Sequence, residues 1–335
     1  MIDIESITNT IINADCMDIL KELPDKCIDL VLTDPPYYAI AKEDWDNQWK
    51  DIWEFQEWVS KIGKELCRVL KDNGSFYWFG DDKTIAYCQV ALDKYFRLLN
   101  NIVWRKESLI TTKGTASVFR SYAPITERCL FYDKGEDKTG LEMVKEVMPN
   151  PFAQYLKDEL ISYFGSVANF RKFVVKEMHL DSAMVNRWFD NDCLMTKDKY
   201  MFIREKTGKL RREYEELRRE YEELRREYEE LRREYEELRR VWNNDMKALD
   251  VLDYKICNDK DRFHPTQKPL NLISYLIQRS SNENDLILDC FSGSGTTAVA
   301  CHNLKRRFIC IEKDYDYWKA SVERLENVQA QMKLF

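Results

Sequence analysis

The sequence predicts an α/β fold whose sheet is interrupted, along the chain, by a helical insert. Three observations predict it. Strand and helix patterns alternate over residues 11–132, helical patterns stand alone between 150 and 240, and the alternation returns from about 257 to the end.

The elements follow in order. Ile28–Thr33 (IDLVLT) is a short apolar run stopped by Asp-Pro-Pro, which suits a buried parallel strand. Residues 53–70 carry apolar side chains at helical spacing, and Asp72-Asn73-Gly74 reads as the turn that follows. Residues 75–79 (SFYWF) and 101–104 (NIVW) are two more strand candidates. Beyond the insert, 269–279 reads as helix, 286–290 (LILDC) as strand, 296–304 as helix, Arg307–Glu312 (RFICIE) as strand and 315–325 as helix. The expected divisions are 1–149 and 243–335 as the two halves of one domain, 150–208 as a helical insert, and 209–242 as a heptad helix.

The heptad segment repeats REYEELR. Tyr214, Tyr221, Tyr228 and Tyr235 alternate with Leu217, Leu224, Leu231 and Leu238, the a/d spacing of a coiled-coil stripe. Arg212 stands four residues before Glu216, and Glu215 four before Arg219, so intrahelical ion pairs are expected along the flanks. A helix over the whole array would be a rod of roughly 45 Å. The helix could pair with its copy, fold against a second helix, or act as a solvated spacer carrying residues 150–208. Tyrosine at every a position makes a weaker seam than Ile or Val, which tilts the expectation only slightly toward a homodimer through this helix, with a homodimer through the α/β domain as the alternative.

Composition sets limits. The 335 residues are 44% apolar and 13% aromatic, enough for a substantial core. No run approaches the roughly 18 apolar residues of a membrane span, and the N-terminus lacks the pattern of a secretory signal. Ten cysteines are scattered without a C-x-x-C pair, so neither a structural metal nor a disulfide framework is expected. These features suit a cytoplasmic protein. The net charge of −7 argues against a phosphate-rich partner, yet Arg97, Arg105, Lys106, Lys113, Arg120 and Arg128 form one basic segment, and Arg171, Lys172, Lys176 and Arg187 another.

Three motifs carry chemistry. Asp34-Pro35-Pro36-Tyr37 ends the IDLVLT strand. The prolines have no amide hydrogen and fix the backbone, so the Pro35 carbonyl and the Asp34 carboxylate can form a rigid pair of acceptors. An exocyclic amine gripped at both hydrogens moves toward tetrahedral geometry and frees its lone pair, while Tyr37 offers a face on which a base can stack. The second motif is Asp289-Cys290-Phe291-Ser292-Gly293-Ser294-Gly295-Thr296-Thr297, between a strand and a helix, where glycines let a ligand approach the backbone. It lacks the Gly-Lys-Ser/Thr ending of a P-loop. Glu312 ends the next strand about 20 residues on, where an acid binds ribose hydroxyls. The third is His264-Pro265-Thr266-Gln267-Lys268-Pro269, at a helix entry, with Lys268 able to meet a carboxylate.

In their chain order, Asp-Pro-Pro-Tyr, then an insert, then His-Pro-Thr-Gln-Lys-Pro and Asp-x-Phe-x-Gly-x-Gly-Thr-Thr, the three motifs resemble the amino-methyltransferases of the β arrangement, in which the catalytic motif precedes the cofactor loop and target recognition lies between. The resemblance covers roughly residues 10–132 and 257–327. It implies a Rossmann-like sheet, S-adenosylmethionine as methyl donor, double-stranded DNA as substrate and flipping of the target base. It implies a bacterial or phage-borne, nucleoid-associated enzyme of restriction–modification type. Carried over by motif, Asp34, Pro35, Pro36 and Tyr37 would bind the flipped base. Asp289, Phe291, Ser292, Gly293, Gly295 and Thr296 would line the cofactor, Glu312 would hold its ribose, Lys268 its methionine carboxylate, and Asp15 would lie near its adenine. Cys290 departs from the proline usual there. Asp at the head of the catalytic motif is typical of N6-adenine enzymes and Ser of N4-cytosine enzymes, so adenine is the expected base and N4-cytosine the alternative.

The insert resembles a helix-turn-helix domain over 155–207, with helices at 169–175, 182–189 and 197–205. Ser182, Asn186 and Arg187 would face a groove with Trp188 packed inside, and Arg105, Lys106 and Arg120 are further candidates for DNA contact. The plainer alternative is a helical module that only supports the fold. RNA or protein-glutamine methylation would reverse the motif order, and a non-catalytic DNA-binding or coiled-coil scaffold would not need Asp34 with an intact glycine loop.

Overall fold

A computed structural model describes residues 2–40, 43–106, 125–135, 151–189, 194–238, 240–243, 249–257 and 262–332. The chain divides into two compact units, one of residues 1–137 with 240–335 and the other of 138–239. Lys113 and Arg120 lie outside the described residues.

The first unit opens with α1 (Ile4–Ile7), β1 (Thr10–Asn13), α2 (Cys16–Glu22) and β2 (Ile28–Thr33). It continues through α3 (Ile52–Val69), β3 (Leu70–Gly80), α4 (Ile85–Leu92), β4 (Arg97–Lys106) and β5 (Thr126–Asp133). The second unit holds α5 (Pro151–Phe164), α6 (Val167–Met178), α7 (Ala183–Phe189), α8 (Lys197–Thr207) and α9 (Tyr214–Leu238). The first unit is completed by β6 (Val251–Tyr254), α10 (Leu270–Ser280), β7 (Leu286–Asp289), α11 (Thr296–Asn303), β8 (Arg307–Glu312) and α12 (Tyr315–Met332).

Eight strands form one sheet in the order β1-β8-β7-β2-β3-β5-β4-β6, with β5 antiparallel to both neighbours and the other pairs parallel. β2 is central, and alternate residues point to opposite faces. Val31 joins the core formed with Phe55, Ile62 and Leu66 of α3. Leu30 and Leu32 join the core formed with Leu272, Ile273 and Leu276 of α10 and Val299 of α11. Both faces are covered, so β2 reads as a nearly unbroken apolar run, and each such side chain contributes about 1.5–3 kcal/mol by burial. The α/β architecture expected from the alternation is the one found.

Two local expectations change. Asp72-Asn73-Gly74 is not a turn but lies within β3, where the pairing with β2 shifts register between Ile28 and Leu30. The glycine is accommodated by an irregularity in the ladder rather than by a reversal of the chain. The heptad array becomes helix only from Tyr214. Leu210 is buried with a left-handed backbone (φ 59°), which ends any continuation from α8. The helix of 25 residues spans roughly 37 Å.

The second unit packs around Phe152, Leu160, Phe170, Val185, Trp188 and Tyr200. The first heptad belongs to that core. Tyr214 and Leu217 are buried, and the Tyr214 hydroxyl donates to the Met195 carbonyl at 2.8 Å. Arg212 pairs with Glu216 at 3.3 Å as the spacing predicts, but the Glu215 carboxylate turns to Lys197 of α8 at 2.8 Å instead of pairing with Arg219. A cation from another element displaced the intrahelical pair.

Candidate active site

β2 and β7 are neighbours, with Leu30 opposite Ile287 and Val31 opposite Leu288. The segments that follow them, Asp34 to Tyr37 and Cys290 to Gly295, therefore emerge side by side at the carboxyl ends of the strands, where open α/β sheets bind ligands. One cavity of about 610 Å³ is lined by both, by Asp15, by Glu312, and by the segment from His264 to Lys268.

Buried hydrogen bonds tie the two segments together. The Thr33 hydroxyl donates to Asp289 at 2.9 Å and accepts from the Cys290 amide at 3.2 Å. Asp289 also accepts from the Thr297 hydroxyl at 2.6 Å and the Phe291 amide at 3.1 Å. Burial pushes its carboxyl up to about 6 despite these donors. Its oxygens are engaged by the chain itself, so Asp289 shapes the loop that lines the cavity.

In the glycine loop, Gly293 (φ +48°) donates its amide to Glu312 at 2.7 Å, and Gly295 (φ +71°) caps α11. A Cβ on Gly295 would lie 2.9 Å from the Ser321 Cβ, so conformation and space both require glycine. Phe291 packs on Trp58 and Trp78, at ring separations of 5.6 and 6.4 Å. Ser292 and Thr296 are buried along the wall. Asp15 caps α2 through the Met17 amide at 2.9 Å and pairs with Lys313 at 3.0 Å.

The other loop is held by side chains. Tyr38 and Ala39 both have left-handed backbones (φ 69° and 56°), an unfavourable conformation for residues other than glycine. The buried Asp46 accepts the amides of Tyr37 (2.6 Å), Tyr38 (3.0 Å) and Ile40 (2.7 Å) and so stabilises the bend. His264 stacks on Trp45 and meets Tyr317 edge-on, and burial, with Lys268 adding, pushes it down to about 4.

At the mouth of β2 lies a chain of charges. Tyr37 donates to Asp34 at 2.5 Å, and Lys268 Nζ lies 2.5 Å from Asp34, 3.0 Å from the Tyr37 hydroxyl and 3.2 Å from Glu127. Glu127 pairs in turn with Lys106 at 2.5 Å. Burial raises the Asp34 carboxyl; Lys268 opposes this and Glu127 reinforces it. Burial works against the charge on Lys268, but Asp34 and Glu127 outweigh it and hold the ammonium above its ordinary range. Burial likewise works against Glu127, but Lys268 and Lys106 prevail and hold its carboxyl low. Burial, with both carboxylates adding, keeps Tyr37 a neutral hydroxyl.

The sequence-derived site residues fall into three places. Asp15, Asp34, Pro35, Pro36, Tyr37, Lys268, Asp289, Phe291, Ser292, Gly293, Thr296 and Glu312 line the one cavity, with Gly295 at the turn behind it. Lys268 directs its ammonium to Asp34 and Glu127, within the catalytic motif's side of the cavity. Arg105 is a bidentate partner of Asp253, and Lys106 belongs to the Glu127 pair. Ser182, Asn186 and Arg187 are exposed on and just before α7 while Trp188 is buried, and Asn186 accepts from Arg171 at 2.5 Å. Glu127 and Asp46 were not found from the sequence: Glu127 meets a segment brought to it only by folding, and Asp46 turns back on amides six to nine residues earlier in its own loop, with no motif to mark it.

A doubly covered sheet with a glycine loop and an Asp-Pro-Pro-Tyr segment over one cavity defines a Rossmann-like α/β enzyme. The family model described as DNA methylase matches residues 28–323, and the chain belongs to that family. It is 26% identical over 314 residues to the type II methyltransferase M1.MboII of Moraxella bovis, covering 92% of this chain and 93% of that protein. It is 25% identical over 321 residues to the DNA adenine methyltransferase YhdJ of Escherichia coli (strain K12), covering 95% and 82%. Among solved structures, the PvuII DNA methyltransferase (cytosine-N4-specific) superposes with a TM-score of 0.53 at 14% identity (95% and 92% covered). The M1.HpyAVI–SAM complex gives 0.51 at 20% (94% and 99% covered). At those identities the likeness shows the fold. Among the described residues, no helix is long and apolar enough to cross a membrane.

Proposed function

We propose that the protein methylates N6 of adenine in DNA, with S-adenosylmethionine as donor and the catalytic motif placed before the cofactor loop in the β arrangement. The observation that carries this reading is the single cavity bounded by the Asp34–Tyr37 segment and the glycine loop. Its volume is in the range of small-molecule sites. Its donor set fits the methyl donor: Glu312 and Asp15 suit hydroxyl and adenine contacts, and Phe291 with its aromatic neighbours offers faces to a cation.

S-adenosylmethionine supplies an electrophilic methyl group on a sulfonium. Asp34 and the Pro35 carbonyl accept the two hydrogens of the target amine and direct its lone pair toward the methyl group. Tyr37 presents its ring to the flipped base. The remainder is placement: the carbon–sulfur bond would break as the carbon–nitrogen bond forms, and the amine's surplus proton would pass to Asp34 or to water. The family described as DNA methylase supports DNA, and the name of the YhdJ relative, a DNA adenine methyltransferase, supports DNA and adenine.

Residues 150–208 then read the target sequence. The exposure of Ser182, Asn186 and Arg187 around a buried Trp188 supports a groove-facing helix. Residues Tyr221, Leu224 and Tyr228 of α9 form a half-buried stripe flanked by Arg at e and Glu at g, which suits a parallel pair with a second copy.

The test is methyl transfer from methyl-tritiated donor to DNA and to RNA, followed by nucleoside analysis. The expected product is N6-methyladenine in DNA. N4-methylcytosine would move the assignment to the other base, and label in RNA alone, or in neither, would refute it.

A further inference from the structure

We propose that Glu127 is a positioning residue that takes over the ammonium of Lys268 when the target amine binds Asp34. This rests on the methyl-transfer reading above and concerns how its acceptor is made available.

The geometry carries the argument. Lys268 is 5% exposed and sits between two carboxylates, 2.5 Å from Asp34 and 3.2 Å from Glu127. The rings of Tyr37, Phe79 and Trp104 surround its ammonium at 5.3, 5.2 and 6.0 Å. A short movement of the flexible lysine end therefore shifts its main contact from one carboxylate to the other without leaving the aromatic box. Glu127 is itself fixed by Lys106 at 2.5 Å, on the neighbouring strand β4. Without Glu127, an amine arriving at Asp34 would have to displace a buried ammonium with no second anion to receive it, and an uncompensated buried charge is strongly unfavourable. With it, Asp34 stays ionised and keeps lone pairs free for the amine.

The groups facing Asp34 are Tyr37 from its own segment, Lys268 from the entry to α10, Glu127 and Cys129 from β5, and Asp289 from β7, with Lys106 behind Glu127. His264 faces Lys268 from the same entry segment. Removing the like charge of Glu127 lowers the pH at which Asp34 ionises, and removing the opposite charge of Lys268 raises it.

The experiment is the single-turnover methylation rate of the full-length protein against pH, with cofactor affinity from calorimetry, for wild type, Glu127→Gln, Glu127→Asp and Lys268→Met. In Glu127→Gln the acidic limb moves down by about one unit, while the plateau rate falls about tenfold because the ammonium is held on Asp34. In Glu127→Asp the plateau recovers. In Lys268→Met the acidic limb moves up by about one unit. Cofactor affinity stays within about twofold in the two Glu127 variants, whose side chain meets Lys268, Lys106 and Tyr37 and does not line the cavity. An unmoved limb in both Glu127→Gln and Lys268→Met overturns the proposal. So does a Lys268→Met protein that loses cofactor affinity about tenfold with its limb in place, which puts Lys268 on the cofactor. If Glu127→Gln does not fold, opposite or absent movement in Lys268→Met decides alone. A wild-type protein that methylates no DNA overturns the parent reading, and this one with it.

Discussion

The two loops that line the cavity solve one problem by opposite means. Both must turn the chain sharply at a strand end and leave backbone exposed to a ligand. The loop after β7 uses glycine, at φ +48° and +71°, and the residues that make it possible are in the loop itself. The loop after β2 uses prolines followed by two left-handed non-glycine residues; Asp46, later in the same loop, accepts its amides, and Lys268 and Glu127 reach it from elsewhere in the fold. A loop of the first kind is written locally. One of the second kind depends on residues up to 234 positions away.

The largest effect falls on the loop after β2. Asp34→Ala removes an acceptor from the amine, and methyl transfer falls by about 10³-fold, measured with labelled donor. Cofactor affinity stays near wild type because the glycine loop is untouched. A fully active variant would break the division of labour between the loops.

Next comes the glycine loop. Gly295→Ala forces a Cβ into the Ser321 side chain at a positive φ and costs roughly 1–3 kcal/mol. Thermal melting and cofactor titration should both register the loss, and an unchanged melting temperature would contradict the packing described.

Asp46→Asn is milder. It keeps one oxygen for the Tyr37 and Tyr38 amides but turns a donor toward Ile40. Transfer should fall about tenfold, consistent with one lost hydrogen bond to a charged group, with cofactor affinity unchanged. Loss of affinity instead would mean that the two loops are not separable.

The smallest effect is expected from deleting residues 221–234, two whole heptads. Tyr214 and Leu217, which pack in the second unit's core, remain. Transfer should stay within about twofold of wild type, the range of surface changes. A larger loss would give the rod a direct part in the reaction.

The same contrast explains what the sequence made legible. IDLVLT, LILDC and RFICIE read as strands because both sheet faces are covered and most residues there are apolar for the same reason. Gly293, Gly295 and Glu312 were legible because loop and acid are spaced along one strand–helix–strand unit. Asp46 and Glu127 carry no local signal. An acid in DWD or TER looks solvated until the fold buries it. Lys268 stood out, but its partner did not, since nothing in HPTQKP says that its ammonium meets Asp34. The heptads form helix from Tyr214 to Leu238, short of the expected 209–242 at both ends: Leu210 is buried in the second unit's core with a left-handed backbone, and 240–242 are not helical.

The most direct test of the account is where the bound cofactor lies. Ultraviolet crosslinking of methyl-tritiated S-adenosylmethionine to the full chain, followed by peptide mapping, should place label on peptides containing Tyr37 or residues 290–312. Label confined to peptides from residues 151–238 would contradict it.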